Sequence, residues 1–318
     1  MIRPEELRVV FMGTPDFALA ALEGLIAAGV DLRGVFTQPD RPKGRGKQLT
    51  PPPVKLLAER HTIPVFQPTR LRNPEAVEVV RSLAPDLIVV VAYGQILPQS
   101  VLDIPRFGCI NVHASLLPKY RGAAPINQAI VDGATETGVT TMQMDAGLDT
   151  GAMLVKRALS IGPLETAGEL HDRLAVLGRE ALEETLRQLC TGTLHPEVQD
   201  DALSSYAPLM KKEDGLIDWN RSAAAIHNQV RGLSPWPGAY TLLDTTVLKL
   251  AATAPTNSHG SAGMVLAVEA DGVVVACGTG ALRIGTLQLP GKKWLLATEF
   301  VKGYPLPPGT RLGSAGDR

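Results

Sequence analysis

Three side chains suited to acyl transfer stand at two places in this sequence. Asn111 and His113 occur in Asn111-Val-His113, and Asp149 occurs in the turn Gly147-Leu-Asp-Thr-Gly151. Side chains alternate along a strand, so Asn111 and His113 share one face while Val112 packs on the other. A glycine-flanked turn lets Asp149 fold back onto the same point. An oriented amide donor stabilises the negative charge that gathers on a carbonyl oxygen in a tetrahedral state more than it stabilises the substrate. An imidazole, with an ordinary pKa near ~6.5, exchanges protons with an attacking amine at neutral pH. A carboxylate beside it fixes the tautomer, favours the protonated ring and offers a path for protons through water. The same residues also read as two loop anchors and one turn residue, and the local pattern leaves both readings open. No GxSxG elbow is present, and Cys109, Cys190 and Cys277 lack the surroundings of a catalytic thiol and read as small buried hydrophobes. Ser115 is the remaining nucleophile to weigh, but its segment reads better as one that wraps a ligand. Direct transfer without a covalent enzyme intermediate is therefore expected.

The elements that must hold these groups follow from periodicity. Strand-like runs at Leu7–Met12, Leu32–Phe36, Pro64–Phe66 and Leu87–Ala92 alternate with amphipathic stretches at Phe17–Ala28, Val54–His61 and Glu75–Leu83. That alternation builds βαβ units and a mostly parallel sheet. Leu87–Ala92 reads as a strand buried on both faces. Cys109–His113 is a further strand, followed by a helix near Ala124–Val131, strands at Val139–Met144 and Met153–Lys156, and a long helix over Thr166–Leu189. Ligand sites collect at the ends of such strands. The periodicity stops after Gly192. The chain is accordingly divided into a domain at 1–195, a linker at 196–209 and a second domain at 210–318. In the second domain Ala223–Arg231 reads as a helix and Val247–Leu250, Gly263–Val268, Val273–Ala276 and Leu282–Leu289 as short strands of a small β-barrel. Asp271-Gly272 is expected to form a type I′ hairpin turn, and Thr310–Arg318 to be disordered.

Composition narrows the alternatives. A length of 318 residues with 45% hydrophobic and 20% charged residues fits a folded chain of about two domains rather than a disordered one. No apolar run approaches the ~20 residues of a membrane-spanning helix, and the N-terminus has neither a basic head nor an apolar signal core, so a cytoplasmic protein is expected. The six histidines show no HExxH spacing, and no metal is expected. A net charge of −1 excludes a generally cationic surface but not a local one. Arg41, Lys43, Arg45 and Lys47 alternate with Pro and Gly beside a single Asp40. They read as a flexible cationic finger able to follow a phosphate backbone, or as a solvated loop. Gly13-Thr-Pro-Asp-Phe17 follows the first strand where a dinucleotide fold carries GxGxxG, but it lacks the later glycines, which disfavours a dehydrogenase.

Asn111-Val-His113, Ser115-Leu-Leu-Pro118, Arg121-Gly-Ala-Ala-Pro-Ile126 and Leu148-Asp-Thr-Gly151, in this order, resemble the signature of the folate-dependent formyltransferases. The resemblance implies a Rossmann-like formyltransferase fold followed by an OB-like barrel, with Asn111, His113 and Asp149 as the catalytic trio. It implies 10-formyltetrahydrofolate as the formyl donor, touched by Ser115, Leu116, Leu117 and Pro118 and by Ile88, Tyr93, Gly94, Gln95, Ile96 and Leu97. The 36–47 segment, with Gly13–Phe17 and Thr50-Pro-Pro-Pro-Val54, is similar to the methionyl-tRNA branch of the family. That likeness implies initiator Met-tRNA as the acceptor, with Arg41, Lys43, Arg45 and Lys47 against the acceptor stem. Further matches at Lys211–Gly215, Ile217–Trp219, Arg231–Pro237 and Leu289–Lys293 carry the resemblance to about residue 303. They make Lys211, Lys212, Lys292 and Lys293 candidate phosphate contacts, and Trp219 and Trp236 packing residues. Formyltransferases acting on amino-sugar nucleotides share the trio and the added domain and are the competing class. A monomer is expected.

Overall fold

The computed structural model describes residues 2–43 and 48–313. In chain order its strands and helices are β1 (Arg8–Gly13), α1 (Leu19–Ala27), β2 (Asp31–Phe36), β3 (Arg41–Lys43), β4 (Gln48–Thr50), α2 (Pro53–Arg60), β5 (Val65–Phe66), α3 (Pro74–Ser82), β6 (Leu87–Val91), α4 (Gln99–Leu102), β7 (Cys109–His113), β8 (Arg121–Gly122) and α5 (Pro125–Val131). They continue as β9 (Glu136–Gln143), β10 (Met153–Ser160), α6 (Ala167–Thr191), β11 (Tyr206–Ala207), α7 (Ala223–Gly232), β12 (Tyr240–Leu243), β13 (Thr246–Thr256), β14 (Val265–Glu269), β15 (Gly272–Ala276), β16 (Ala281–Gln288), β17 (Leu295–Leu296) and α8 (Ala297–Gly303). Two units result. One comprises Met1–Gly122, Thr137–Leu159 and His171–Tyr206, the other Ala123–Glu136, Ser160–Leu170 and Ala207–Arg318.

The first unit is built on a seven-stranded sheet in the order β10-β9-β7-β6-β1-β2-β5. The pairs β1/β2, β1/β6, β6/β7 and β2/β5 are parallel, whereas β7 and β9 are antiparallel. The sheet is thus mostly parallel, as the alternating pattern indicates. β6 is central and every residue of Leu-Ile-Val-Val-Val is buried, which is why it shows no polar alternation. Its neighbours are covered by short helices whose apolar positions recur at helical spacing, as in Ala76, Val77 and Val80 of α3. Helices α2, α3 and α5 all start on proline, where the missing N–H costs nothing. One core cluster gathers Val10, Met12, Phe36, Val80, Ile88 and Val90, each worth about 1.5–3 kcal/mol on leaving water. The first amphipathic stretch is divided: Asp16–Ala18 is a 3-10 turn leading into α1.

In the second unit a six-stranded sheet runs β12-β13-β16-β15-β14, with β17 added to β16. Its pairs are antiparallel. It surrounds a cluster that includes Trp219, Ile226, Val230, Leu250, Val273, Leu282, Ile284 and Phe300. Three expectations are corrected here. Asp271-Gly272 does mark a hairpin, but the loop is Ala270-Asp271; Gly272 already pairs with Glu269, and neither loop residue has the positive φ that a type I′ turn needs. Trp219 is buried and its indole N–H donates to Thr241 Oγ1 at 2.9 Å, whereas Trp236 is 54% exposed. Trp236 lies between two prolines in the loop after α7, outside any periodic element that would aim it inward. Residues 310–313 of the tail pair with the sheet, and 314–318 lie outside the described residues. Leu312 bridges to Leu243 at the end of β12, while the Val265 N–H of β14 donates to the Thr310 carbonyl at 2.8 Å. Residues 309–313 therefore tie together the two edge strands of the sheet.

Candidate active site

Asn111 and His113 project from β7 on one face. Asn111 is paired with Val90 of β6 on one side and Met142 of β9 on the other, and His113 is paired with Thr140 of β9. Asp149 comes from the β9–β10 loop. That loop is held from within, since Asp145 Oδ1 accepts from the Gly147 N–H at 2.9 Å and from the Thr150 hydroxyl at 2.7 Å. At Gly151 a Cβ would overlap the Gln143 carbonyl oxygen, so only glycine lets the loop close. Asp149 itself sits at φ +54°, a left-handed conformation that Asp tolerates better than most residues.

The trio converges. Asn111 Nδ2 lies 3.5 Å from Asp149 Oδ1, and His113 Nδ1 lies 3.7 Å from Asp149 Oδ2. Asp149 Oδ2 also accepts the Gly122 N–H at 2.8 Å. On the far side of the ring, His113 Nε2 is 2.9 Å from the Tyr120 carbonyl oxygen. A carbonyl only accepts, so Nε2 carries the hydrogen and the neutral ring presents its Nδ1 lone pair towards Asp149. His113 is only 5% exposed, and it keeps one nitrogen uncommitted to a close partner.

The Ser-Leu-Leu-Pro segment follows β7 directly. The Ser115 hydroxyl donates to the Lys119 carbonyl at 2.6 Å, and the Ser115 carbonyl accepts from the Thr140 hydroxyl at 2.7 Å, which leaves Ser115 a buried brace. Leu117 is buried with Met142 and Met153, Leu117–Pro118 is a cis peptide, and Leu116 and Pro118 are half-buried. Ile88 of β6 lies in the core, as do Tyr93 and Leu97 of the stretch that follows, where Gly94 is exposed and Ile96 is 90% exposed. Gln95 spends both ends of its amide inside the protein: its Oε1 accepts the Leu71 N–H at 2.7 Å and its Nε2 donates to the Pro68 carbonyl at 3.0 Å. The parallel Val90–Asn111 pairing sets this loop at the same C-terminal strand ends as Asn111 and His113. A cavity of about 400 Å³ adjoins it, lined by Thr14, Gln38, Arg41, Thr50, Tyr93 and Gly94 among others. Burial drives the Cys109 thiol up to about 12, so at neutral pH it stays protonated.

Of the basic residues, Arg41 is exposed and donates to Gln38 Oε1 at 3.1 Å. The two ends of the supposedly flexible finger form an antiparallel ladder, with Arg41 opposite Thr50 and Lys43 opposite Gln48. Arg45 and Lys47 lie outside the described residues. Lys211 and Lys212 are exposed, and Lys292 and Lys293 line a cavity of about 230 Å³ with Phe300 and Tyr304. Two side chains near the trio escaped the sequence reading as functional groups. Gln199 lies within the 196–209 linker and bonds the carbonyls of Asp149 and Gly151, while Arg121, in the Arg-Gly-Ala-Ala-Pro motif, bonds the side chains of Gln199 and Asp201; neither set of contacts leaves a periodic mark. Among the described residues no helix is long and apolar enough to cross a membrane.

Comparison with known proteins agrees with this architecture. The formyl transferase family pattern matches residues 7–186 and that of the formyl transferase C-terminal domain matches residues 209–305, so the chain belongs to the formyl transferase family. It is 60% identical to the methionyl-tRNA formyltransferase of Geobacter sulfurreducens over 310 residues, covering 98% of each chain. It is 52% identical to that of Aromatoleum aromaticum over 309 residues, covering 97% of this chain and 98% of the other. Among solved structures, an N-formyltransferase from Helicobacter canadensis with folinic acid and dTDP-3-aminofucose superposes with a TM-score of 0.67 at 19% identity, over 89% of this chain and 98% of that one. HypX from Aquifex aeolicus with tetrahydrofolic acid gives 0.63 at 18% identity over 93% of this chain, which spans about half (47%) of HypX. At these identities the structures share the fold.

Proposed function

We propose that this chain transfers the formyl group of 10-formyltetrahydrofolate to the α-amino group of methionine on initiator Met-tRNA. The observation that carries the chemistry is the meeting of Asn111, His113 and Asp149 at one point of a family fold. The choice of acceptor is supported by full-length identity near 60% to proteins named as methionyl-tRNA formyltransferases. The bound donor supplies the formyl carbon. The amine adds to that carbon to give a tetrahedral intermediate, which collapses as the bond to the donor nitrogen breaks, and the proton lost by the amine passes to that nitrogen as it leaves. Asn111 keeps one amide hydrogen for Asp149 and offers the other to the formyl oxygen as its negative charge grows. His113, with Nε2 tied to Tyr120, takes the amine's proton on Nδ1, and the Asp149 carboxylate stabilises the imidazolium that results.

A folate suits the residues around the trio. Ile96 and Leu148 expose apolar surface beside polar groups, as a flat heterocycle bearing polar edges requires. In this reading Gly94, Ile96, Leu116 and Pro118 face the donor, whereas Ile88, Tyr93, Gln95, Leu97, Ser115 and Leu117 form the wall behind them. Arg41, Lys43, Arg45, Lys47, Lys211, Lys212, Lys292 and Lys293 contact phosphates, with residues 1–195 as the catalytic domain and 210–318 as the tRNA-binding domain. Formylation assays with Met-tRNA and with an amino-sugar nucleotide, each with 10-formyltetrahydrofolate, test the reading. Transfer to Met-tRNA that weakens steeply with salt is expected. Transfer to the sugar alone would overturn it.

A further inference from the structure

Gln199 belongs to a polar stretch with no periodicity, yet it is only 8% exposed and its whole amide is engaged. Nε2 donates to the Asp149 carbonyl at 2.8 Å and to the Gly151 carbonyl at 2.7 Å, on either side of Thr150. Oε1 accepts from Arg121 Nε at 3.0 Å. These partners fix which way the amide points, because a flipped amide would set its oxygen against two carbonyls and its NH₂ against a guanidinium. Arg121 is secured in turn: its Nη2 meets Asp201 Oδ1 at 2.7 Å, and its N–H donates to the Ser205 carbonyl at 2.8 Å. The Ser205 hydroxyl accepts the Tyr120 N–H at 2.9 Å. The 199–205 segment therefore grips both supports of the trio. One is the backbone of Asp149, held at a positive φ that an L residue leaves readily unless restrained. The other is the 120–122 segment, whose Tyr120 carbonyl and Gly122 N–H hold His113 and Asp149.

We infer that Gln199 is a positioning residue for formyl transfer, acting through Asp149 by holding the carbonyls on either side of Thr150. The inference rests on the proposed function. In Gln199→Ala, kcat for Met-tRNA formylation should fall on the order of 10- to 100-fold while both KM values stay within about twofold, because a displaced carboxylate harms the transition state more than ground-state binding. Combined with Asp149→Ala, it should slow the enzyme no further than Asp149→Ala alone. A soluble Gln199→Ala protein with kcat within about twofold of wild type, or losses that multiply in the double variant, would overturn the assignment. If Gln199→Ala does not fold, Gln199→Glu decides. Ionised, Glu keeps the acceptor for Arg121 but turns a charge on both carbonyls; protonated, it regains one donor. Its kcat relative to wild type should rise as pH falls, and a ratio independent of pH would count against the role. A wild-type chain that formylates no Met-tRNA would remove the underlying reading and this proposal with it, whereas an active wild type with an insensitive Gln199 would remove only the proposal.

Discussion

The two units each bury a histidine, and the rings differ at one atom. His113 and His227 are 5% and 9% exposed, and each directs Nε2 at a backbone carbonyl, Tyr120 at 2.9 Å and Pro163 at 3.0 Å. His227 Nδ1 accepts the Thr253 hydroxyl at 2.9 Å, so both its nitrogens are satisfied by fixed neighbours. Burial holds its pKa below the usual histidine value, and the nearby Arg231 guanidinium adds to the effect. Arg231 is itself buried, donating to the carbonyls of Gly162 and Glu165 and to Asn228 Oδ1. His113 Nδ1 instead faces a carboxylate at 3.7 Å, beyond a good hydrogen bond, next to an amide with a hydrogen to spare. Burial and residue type do not separate the two rings; the commitment of the second nitrogen does, and under the proposed function it marks His113 as the working one.

The strongest way to break that contrast is His113→Ala. Its kcat should fall on the order of 10³-fold, with a stability loss of only about 1 kcal/mol for the lost hydrogen bond from His113 Nε2 to the Tyr120 carbonyl. Steady-state rates beside a denaturant melt would show it, and a variant retaining a tenth of its activity would end the distinction. His227→Ala should do the reverse, costing about 2–3 kcal/mol through a cavity and two abandoned partners while kcat per folded molecule stays unchanged. The same ring makes a prediction with pH. Its pKa is depressed in the folded state, so the unfolded chain binds the proton more readily. The stabilisation is complete above histidine's ordinary value of 6.5 and is lost as pH falls through the lower folded value. Acid melts of His227→Gln should fall less steeply than those of wild type over that window; equal slopes would mean that His227 is not the group responsible. The smallest effect is expected for Thr253→Val, which removes the hydroxyl from Nδ1 and should cost about 1 kcal/mol by thermal unfolding.

Side chains were far more legible in the sequence than the backbone that serves them. The ends of β7 match the run Cys109–His113 read as a strand from the sequence, because its alternating side chains set it apart from the flanking turns. The convergence of Asn111, His113 and Asp149 followed from alternation and a glycine-flanked turn. The Tyr120 carbonyl, the Gly122 N–H and the carbonyls beside Thr150 had no such signature, since any residue carries them. Gln199 escaped for the same reason, as its partners are mostly backbone. The ladder between Arg41–Lys43 and Gln48–Thr50 was hidden by prolines and cations that disfavour strands, and β12 by its closeness to the turn Asp244-Thr245 that pairs it with β13.

The tie made by residues 309–313 across β12 and β14 gives the last stretch of chain an office out of proportion to its length. A chain ending near residue 308 would keep every side chain of the proposed reaction, but two strands would lose their outer partners and present open rows of N–H and C=O groups. Such edges recruit other copies. Shortened chains should therefore first be lost to self-association, visible as large species on gel filtration, before any fault appears in the chemistry.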